Sequence, residues 1–142
     1  MVLPASVHTA ALAAQALGCE VGAIANSLLF DTDNKPLLIL TSGAHRVDQD
    51  LVARTLAPTL QGAALRRAKP DFVRAHTGQV IGGVSPFAHP APVPTYIDPA
   101  LAQYPQIWAA AGHPAAVFSS TYAELVAMTG ASELVVNAEE TG

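Results

Sequence analysis

The sequence predicts an α+β domain in which helices surround a mostly antiparallel or mixed sheet. The chain has 142 residues, of which 51% are apolar and only 13% are charged. That composition is typical of a folded domain with its own core. Helical and strand patterns also follow one another in a mixed order without an internal repeat, which favours an α+β layout. We therefore expect one domain that covers residues 1–142.

A helix and a hairpin are predicted in the first forty residues. Ser6 can cap a helix that runs to about Leu17, and Gly18 supplies its C-terminal stop. Two apolar runs follow at residues 23–30 and 37–40, and a turn rich in Asp, Asn and Pro separates them. Apolar runs on either side of such a turn indicate a β-hairpin.

The middle of the chain is predicted to alternate helix, strand and helix. Asp48 can cap a helix that continues to roughly Leu56. Residues 63–68 are a short strand candidate, although they include two arginines. Pro70 suits the first turn of a helix that Gly78 then closes.

A long loop is predicted at residues 79–94. Six Gly and Pro residues interrupt this stretch, while apolar residues punctuate it, which indicates an ordered loop rather than a linker. A strand begins again at Tyr96 and Ile97. Asp98 and Pro99 then start a short helix.

Two strands, a helix and a last strand complete the predicted fold. Residues 107–111 and 115–118 have the pattern of strands around the turn Gly112-His113-Pro114. A helix follows this turn, with Thr121 and Glu124 at the spacing of a capping box and Gly130 at its end. A short apolar strand is then predicted at residues 134–136.

Charge and cysteine content restrict the partners and the compartment. The formal net charge of −4 argues against tight binding to nucleic acid through phosphates alone. Cys19 has no second cysteine for an internal disulfide, which suits a reducing compartment. The alanine-rich N-terminus lacks the positive region of a signal peptide, and no apolar run has the length of a membrane span. We expect a cytoplasmic protein with no membrane partner, and its sparse surface charge suggests a homodimer.

Several common catalytic patterns are absent from the sequence. There is no GxxxxGK[ST] phosphate-binding loop, and the glycines of GGVSP do not fit GxGxxG. Ser85 lies in GVSPF rather than GxSxG, so a nucleophile elbow is not predicted. The five histidines are scattered, without an HExxH motif or a cysteine pair, so the sequence predicts no metal site.

The segment GGVSPFAH at residues 82–89 is the predicted functional centre. Its two glycines let a ligand approach the main chain closely. Pro86 stiffens the other end and biases Ser85 toward extended geometry. Such a loop can direct backbone N–H groups at a carbonyl or a developing oxyanion. A plain bend between helix and sheet is the alternative, and the length of the segment together with His89 favours a functional loop.

A series of stretches along the chain resembles one known family. The most specific is TGxxIGGVSPFxH, within RRAKPDFVRAHTGQVIGGVSPFAH at residues 66–89. Weaker matches follow the same order: AAQALG at 13–18, IANSLLF at 24–30, PLLILTSGAHRVD at 36–48, YIDPAL at 96–101 and WAAAGHPAAVF at 108–118. Together they resemble the YbaK family, also called the prolyl-tRNA synthetase-associated editing domain, over nearly the whole chain.

The resemblance implies a fold, an activity and a set of site residues. The implied fold is an α+β domain around a curved mixed sheet. The implied activity is that of a free-standing aminoacyl-tRNA hydrolase that acts in trans, without a metal or other cofactor, on a mischarged tRNA such as tRNA-Pro carrying a small amino acid. The implied partners are the 3′ end of an aminoacyl-tRNA and an aminoacyl-tRNA synthetase. The implied catalytic residues are Gly82, Gly83, Val84, Ser85, Pro86 and His113. The implied substrate-binding residues are Asn26, Arg46, Phe87, His89 and Gly112.

One position departs from the pattern of this family. Members often carry a lysine in the first hairpin strand, in a pattern like IVKSLVF, where this chain has Asn26. Asparagine can donate a hydrogen bond but brings no positive charge to a phosphate. Arg46 either compensates for that loss or is a solvated loop cation. Two other functions therefore stay open: a module that binds an aminoacyl group or tRNA end without cleaving it, and a hydrolase for another small ester.

The remaining polar residues are expected at the surface. His45 and His76 are interpreted as surface histidines. A basic cluster is either a solvated face or a landing patch for the tRNA acceptor stem; it consists of Arg66, Arg67, Lys69 and Arg74.

Overall fold

A computed structural model describes residues 10–45, 47–77, 93–113 and 116–136 of the chain. Within these ranges, seven strands form one sheet, and short helices pack against it. The strands are β1 (Ile24–Asp31), β2 (Pro36–Ser42), β3 (Arg66–Arg67), β4 (Thr95–Ile97), β5 (Ile107–His113), β6 (Ala116–Ser120) and β7 (Ser132–Glu133). The α-helices are α1 (Ala10–Leu17), α2 (Gln49–Thr55), α3 (Ala57–Leu60), α4 (Pro70–Thr77) and α5 (Tyr122–Thr129), and two 3₁₀ helices span Val21–Ala23 and Pro99–Gln103.

The sheet is mixed, as the sequence predicts. Its strand order is β6-β5-β1-β2-β4-β7, and β3 pairs with β1 beside this path. The pairs β1–β2, β1–β3 and β5–β6 are antiparallel, whereas β1–β5, β2–β4 and β4–β7 are parallel. The two longest pairings, β1–β2 and β5–β6, are both antiparallel hairpins joined by short connections. The predicted α+β fold class is thereby confirmed.

Strand β1 has two different neighbours along one edge. Its partner on the other edge is β2, which pairs with it from Ala25 to Asp31. On the shared edge, β5 pairs with Ile24 and Ala25, and β3 pairs with Phe30 and Asp31. Residues 26–28 therefore lie where the two neighbouring strands diverge.

The alternation of side chains along the strands divides the core between the two faces of the sheet. One face is covered by α4, the second 3₁₀ helix and α5; its buried residues include Leu29, Leu38, Leu40, Val73, Ile97, Leu101 and Leu125. The opposite face is covered by α2 and α3; its buried residues include Phe30, Leu37, Ile39, Val52, Leu56, Leu134 and Val136. On that second face α1 covers a smaller cluster around Ile24 and Val117.

The predicted ends of several helices are confirmed. Gly18 and Gly130 follow α1 and α5 with φ values of +70° and +66°, in the left-handed region that glycine adopts without a steric penalty. Three helices begin at a residue whose side-chain oxygen accepts a hydrogen bond from a backbone N–H of the first turn. These cap residues are Asp48 (Leu51 N, 3.1 Å), Asp98 (Ala100 N, 3.0 Å) and Thr121 (Glu124 N, 3.1 Å).

Two predicted strands are corrected in extent. The strand predicted at residues 63–68 contracts to Arg66–Arg67, because only the last two residues of β1 pair with it. The strand predicted at residues 134–136 is instead Ser132–Glu133. Its partner β4 ends at Ile97, so the chain leaves the sheet and the Val136 carbonyl accepts from Asp48 N at 2.7 Å.

The turn predicted at residues 112–114 is also corrected. Gly112 and His113 belong to strand β5, which runs from Ile107 to His113. The register shifts between Ala110 and His113, and pairing resumes with His113 opposite Ala116. Residues 111 and 112 of β5 therefore form an irregularity of the strand, like a β-bulge, and do not belong to the turn.

Most of the loop predicted at residues 79–94 lies outside the described residues. Val93 is the next described residue, and the Pro94 carbonyl accepts a hydrogen bond from Leu38 N at 2.8 Å. This bond aligns the start of β4 beside β2. None of the described helices has the length and apolar run needed to cross a membrane.

Gly22 is expected to resist any side chain. A Cβ atom there would overlap the hydroxyl of Tyr104 and lie 2.7 Å from its Cζ, and Tyr104 in turn packs against the core. Gly22→Ala should therefore lower the free energy of unfolding by about 1–3 kcal/mol, the usual cost of overpacking. Urea denaturation followed by circular dichroism measures it. The cost should shrink when Tyr104 is also replaced by alanine, and strictly additive losses in the double variant would contradict the steric explanation.

Candidate functional site

A pocket of about 360 Å³ opens on the sheet face that carries α2. It lies beside residues 26–28, where β3 and β5 diverge along β1. Its apolar lining consists of Leu28 and Val47. Its polar lining consists of Asn26, Thr41, His45, Gln49 and Arg67.

Two cross-strand neighbours form the polar floor of this pocket. Asn26 of β1 is opposite Thr41 of β2, and both side chains project from the same face. Thr41 is only 1% exposed, whereas Asn26 is half-buried. The next pairs along this face, Leu28 with Ile39 and Phe30 with Leu37, are apolar. Asn26 and Thr41 therefore form a polar patch on a sheet face that is otherwise largely apolar.

His45 is buried in the wall of the pocket, contrary to its prediction as a surface histidine. Its side chain is 5% exposed, and its Nδ1 shares a hydrogen bond of 2.6 Å with Oδ2 of Asp98. Asp98 is itself 2% exposed. Its carboxylate also accepts from Ser42 N at 3.1 Å and from Ala100 N at 3.0 Å. A buried carboxylate with three donors is well satisfied and holds the imidazole in one orientation.

The segment that carries His45 is fastened at both ends. At its start, the Ser42 hydroxyl donates to the Gly22 carbonyl at 2.8 Å and accepts from Ala44 N at 3.3 Å. At its end, Asp48 N donates to the Val136 carbonyl at 2.7 Å. Arg46, which the sequence places between these points, lies outside the described residues. The fastened segment sets the position of His45 and of Val47 in the pocket wall.

A neutral phenol lies behind Asp98. Burial, together with the nearby carboxylates of Glu133 and Asp98, raises the pKa of Tyr122 to about 12. Tyr122 therefore stays protonated at neutral pH. Among the described residues around Tyr122, the carboxylates of Glu133 and Asp98 carry the negative charge.

Arg67 brings a positive charge to the pocket. It pairs with Phe30 across β1 and β3, and its guanidinium carbon lies 5.8 Å from the centroid of the Phe30 ring. The neighbouring Arg66 pairs with Asp31 and makes a salt bridge of 3.2 Å with Asp33. The two arginines thus belong to opposite faces of the sheet. Only one of the pair lines the pocket.

The other members of the basic cluster are exposed. Lys69 precedes α4, and Arg74 lies within it. His76, on the same helix, is half-buried and contacts Phe72, with ring centroids 4.2 Å apart and ring planes tilted by 38°. Its prediction as a plain surface residue is therefore only partly right.

The predicted site residues divide into three groups. Asn26 lines the pocket. Gly112 and His113 are placed by their backbone at the end of β5. The residues outside the described ranges are Arg46, Gly82, Gly83, Val84, Ser85, Pro86, Phe87 and His89.

Sequence reasoning predicted one of the seven described lining residues, Asn26, as a substrate-binding residue. Thr41, His45 and Gln49 were not predicted as site residues, nor were the apolar Leu28 and Val47. Arg67 was predicted only within a basic cluster that is either a solvated face or a landing patch for the tRNA acceptor stem. The sequence did contain a signal for Thr41. The hairpin register places it opposite Asn26, so both strands carry a polar residue at the same position along the sheet. His45 carried no such signal, since its partner Asp98 is 53 positions away in the sequence.

Comparison with known proteins gives a consistent family. A model of the aminoacyl-tRNA editing domain matches residues 4–128. Protein YwhH of Bacillus subtilis (strain 168) is 30% identical over 108 residues, a match that covers 75% of this chain and 66% of that protein, just under two thirds of its length.

Solved structures share the fold at higher identity. The structure of a candidate trans-editing enzyme for prolyl tRNA synthetase is 45% identical, with a TM-score of 0.87, covering 96% of this chain and 84% of the other. A structure from a study that grafted epitopes onto scaffold proteins is 42% identical, with a TM-score of 0.88, covering 96% of this chain and 85% of the other.

Proposed function

Because the chain belongs to the aminoacyl-tRNA editing domain family, we propose that it is a free-standing deacylase that acts in trans. It would hydrolyse the ester between a wrong amino acid and its tRNA, and tRNA-Pro carrying a small amino acid is the substrate we expect. The observation that carries the proposal is the polar pocket at Asn26, in a chain that matches the family model at residues 4–128. We propose the whole chain, residues 1–142, as one editing domain.

The proposed catalytic centre is the backbone of the loop from Gly82 to Pro86. Water attacks the ester carbonyl, and the N–H groups of Gly82, Gly83, Val84 and Ser85 stabilise the oxyanion that forms. The carbon–oxygen bond to the ribose then breaks, and the ribose oxygen takes up the proton that the attacking water loses, so that the products are a free carboxylic acid and a ribose hydroxyl. His113 is proposed to orient the water or to bind the amino group of the substrate. The step needs no metal or other cofactor.

The proposed substrate-binding residues surround this centre. Asn26 offers an amide donor and acceptor from the floor of the pocket. Phe87 and His89 follow the catalytic loop in sequence, Gly112 precedes His113, and Arg46 lies one residue after His45. We propose that these residues hold the aminoacyl group and the 3′ end of the tRNA.

The proposal extends to partners and compartment. The proposed partner is the 3′ end of an aminoacyl-tRNA. The protein would act in the cytoplasm, where it would contribute to the fidelity of translation, and it would have no membrane partner. A synthetase that presents the mischarged tRNA is a second partner. The chain itself would form a homodimer, as its low charge suggests: only 13% of its residues are charged.

A second function is favoured by one residue. Family members often carry lysine where this chain has Asn26, and the two described residues of the pocket floor, Asn26 and Thr41, are both neutral. A module that binds an aminoacyl group or a tRNA end without cleaving it would tolerate that change more readily than an enzyme.

A panel of mischarged tRNAs separates these functions. Purified protein should release the amino acid from at least one tRNA-Pro charged with alanine, cysteine, serine or threonine, measured as loss of radiolabelled aminoacyl-tRNA against a no-enzyme control. Binding without release would select the non-catalytic module. Hydrolysis of aminoacyl esters without any preference for tRNA would indicate a hydrolase of other small esters. Release no faster than the background from all four tRNAs would exclude the deacylase.

A further inference from the structure

Arg67 gives the pocket an electrostatic character that its floor lacks. Among the described lining residues, Arg67 is the one with a permanent charge, and the others are neutral amides, a hydroxyl, an imidazole and two apolar side chains. With a net charge of −4, the chain as a whole does not attract an anion. The positive charge of the pocket is therefore local.

The position of Arg67 is set by the sheet rather than by a mobile side chain alone. Pairing of β3 with β1 fixes it opposite Phe30, on the face from which Asn26 also projects. The Phe30 ring is fully buried, and the guanidinium lies over it at 5.8 Å. A guanidinium over an aromatic ring keeps its N–H donors at its edges, where they remain available to an oxygen ligand.

The proposed substrate has only one kind of anionic group near its reactive end. The carboxylate of the amino acid is consumed in the ester, and its amino group is a cation at neutral pH. The amino acid would thus be repelled by a guanidinium. The phosphodiester that precedes the terminal adenosine carries the negative charge, and arginine binds phosphate through two parallel hydrogen bonds.

We propose that Arg67 binds the phosphate of the terminal nucleotide and so fixes the 3′ end of the tRNA against the pocket. This inference rests on the proposed function, because the ligand is the substrate of that reaction. Arg67 is a specificity-determining residue: it distinguishes an aminoacyl ester on a nucleic acid from the same ester on a lone nucleoside. The side chains of Asn26 and Gln49 add neutral donors beside it.

The test compares Arg67→Gln with Arg66→Gln on two substrates. Arg66 is a matched control because it is the adjacent arginine, is exposed, and pairs with Asp33 on the opposite face. The substrates are an aminoacyl-tRNA and the same amino acid esterified to adenosine, which has no phosphate. We expect the ratio of kcat/KM for tRNA to kcat/KM for the adenosine ester to fall by about tenfold in R67Q, the loss typical of one charge-assisted hydrogen bond. In R66Q the ratio should stay within about twofold, as for a surface pair.

Two results would overturn the inference. One is an unchanged ratio in R67Q. The other is an equal loss in both variants, which would indicate general attraction to nucleic acid. A wild-type protein that hydrolyses nothing would contradict the proposed function instead. In that case the affinity for a fluorescent RNA oligonucleotide ending in CCA is measured at several salt concentrations. The slope of log Kd against log salt concentration should decrease in R67Q by about the value of one phosphate contact, and it should not change in R66Q. An unchanged slope in R67Q would reject the phosphate contact.

Discussion

Replacing Asp98 by alanine is expected to lower the free energy of unfolding by about 3 kcal/mol. The carboxylate is 2% exposed and accepts from two backbone N–H groups as well as bonding the imidazole of His45. Its removal leaves buried donors without an acceptor, which costs more than the net value of the bonds themselves. Chemical denaturation followed by circular dichroism gives the difference.

Two companion variants separate the contributions at this position. Asp98→Asn keeps one oxygen acceptor, so it should lose clearly less than alanine. His45→Ala removes one of the three bonds of Asp98 and should also fall between wild type and D98A. A D98A protein that is destabilised by less than about 1 kcal/mol would show that the buried carboxylate is not the fastening point of this wall.

Replacing Gly82 by valine is expected to reduce deacylation at least about 100-fold, the loss typical of one oxyanion donor. A β-branched side chain removes the conformations that only glycine reaches, and it occupies the space through which an ester carbonyl would approach the backbone. The measurement is single-turnover release of the amino acid from mischarged tRNA.

The control for Gly82→Val introduces the same side chain elsewhere. Ser119→Val places valine at an exposed position of β6, where a β-branched residue suits the strand. It should leave turnover within about twofold of wild type, since substitutions at exposed sites are usually mild. Both variants should show the same circular dichroism spectrum. A folded G82V protein that retains most of its turnover would remove the loop from the proposed centre.

The parts of the fold that depend on local chemistry were predictable. The β1–β2 hairpin follows from two apolar runs and a turn, where Asp33 and Asn34 adopt positive φ values of 54° and 74°. The cap at Asp48 and the stop at Gly130 follow from side-chain oxygens and from glycine geometry. Such signals act within a few residues, so one sequence suffices to find them.

The parts of the fold that depend on partners far away in the sequence could not be predicted. Residues 134–136 have the composition of a strand, but β4 ends at Ile97, and the last bond to it is from Leu134 N to the Ile97 carbonyl at 2.9 Å. His45 is buried because a carboxylate 53 positions later reaches it. A single sequence contains no signal for such a contact. Asn26 was singled out by the family resemblance instead, and its role as a site residue stays a prediction. The loop at residues 82–89 was predicted from glycine and proline chemistry, and its role stays a prediction.

The bond between His45 and Asp98 also bears on how the protein is made. The described residues that line the pocket lie between positions 26 and 67, so they leave the ribosome well before Asp98 does. The parallel neighbour of β1 comes later still, at Trp108 and Ala109. Contacts this far apart in sequence form late, because a long stretch of chain must first be closed into a loop. We therefore expect the nascent chain to carry an open, unsupported pocket until Asp98 and β5 have been synthesised.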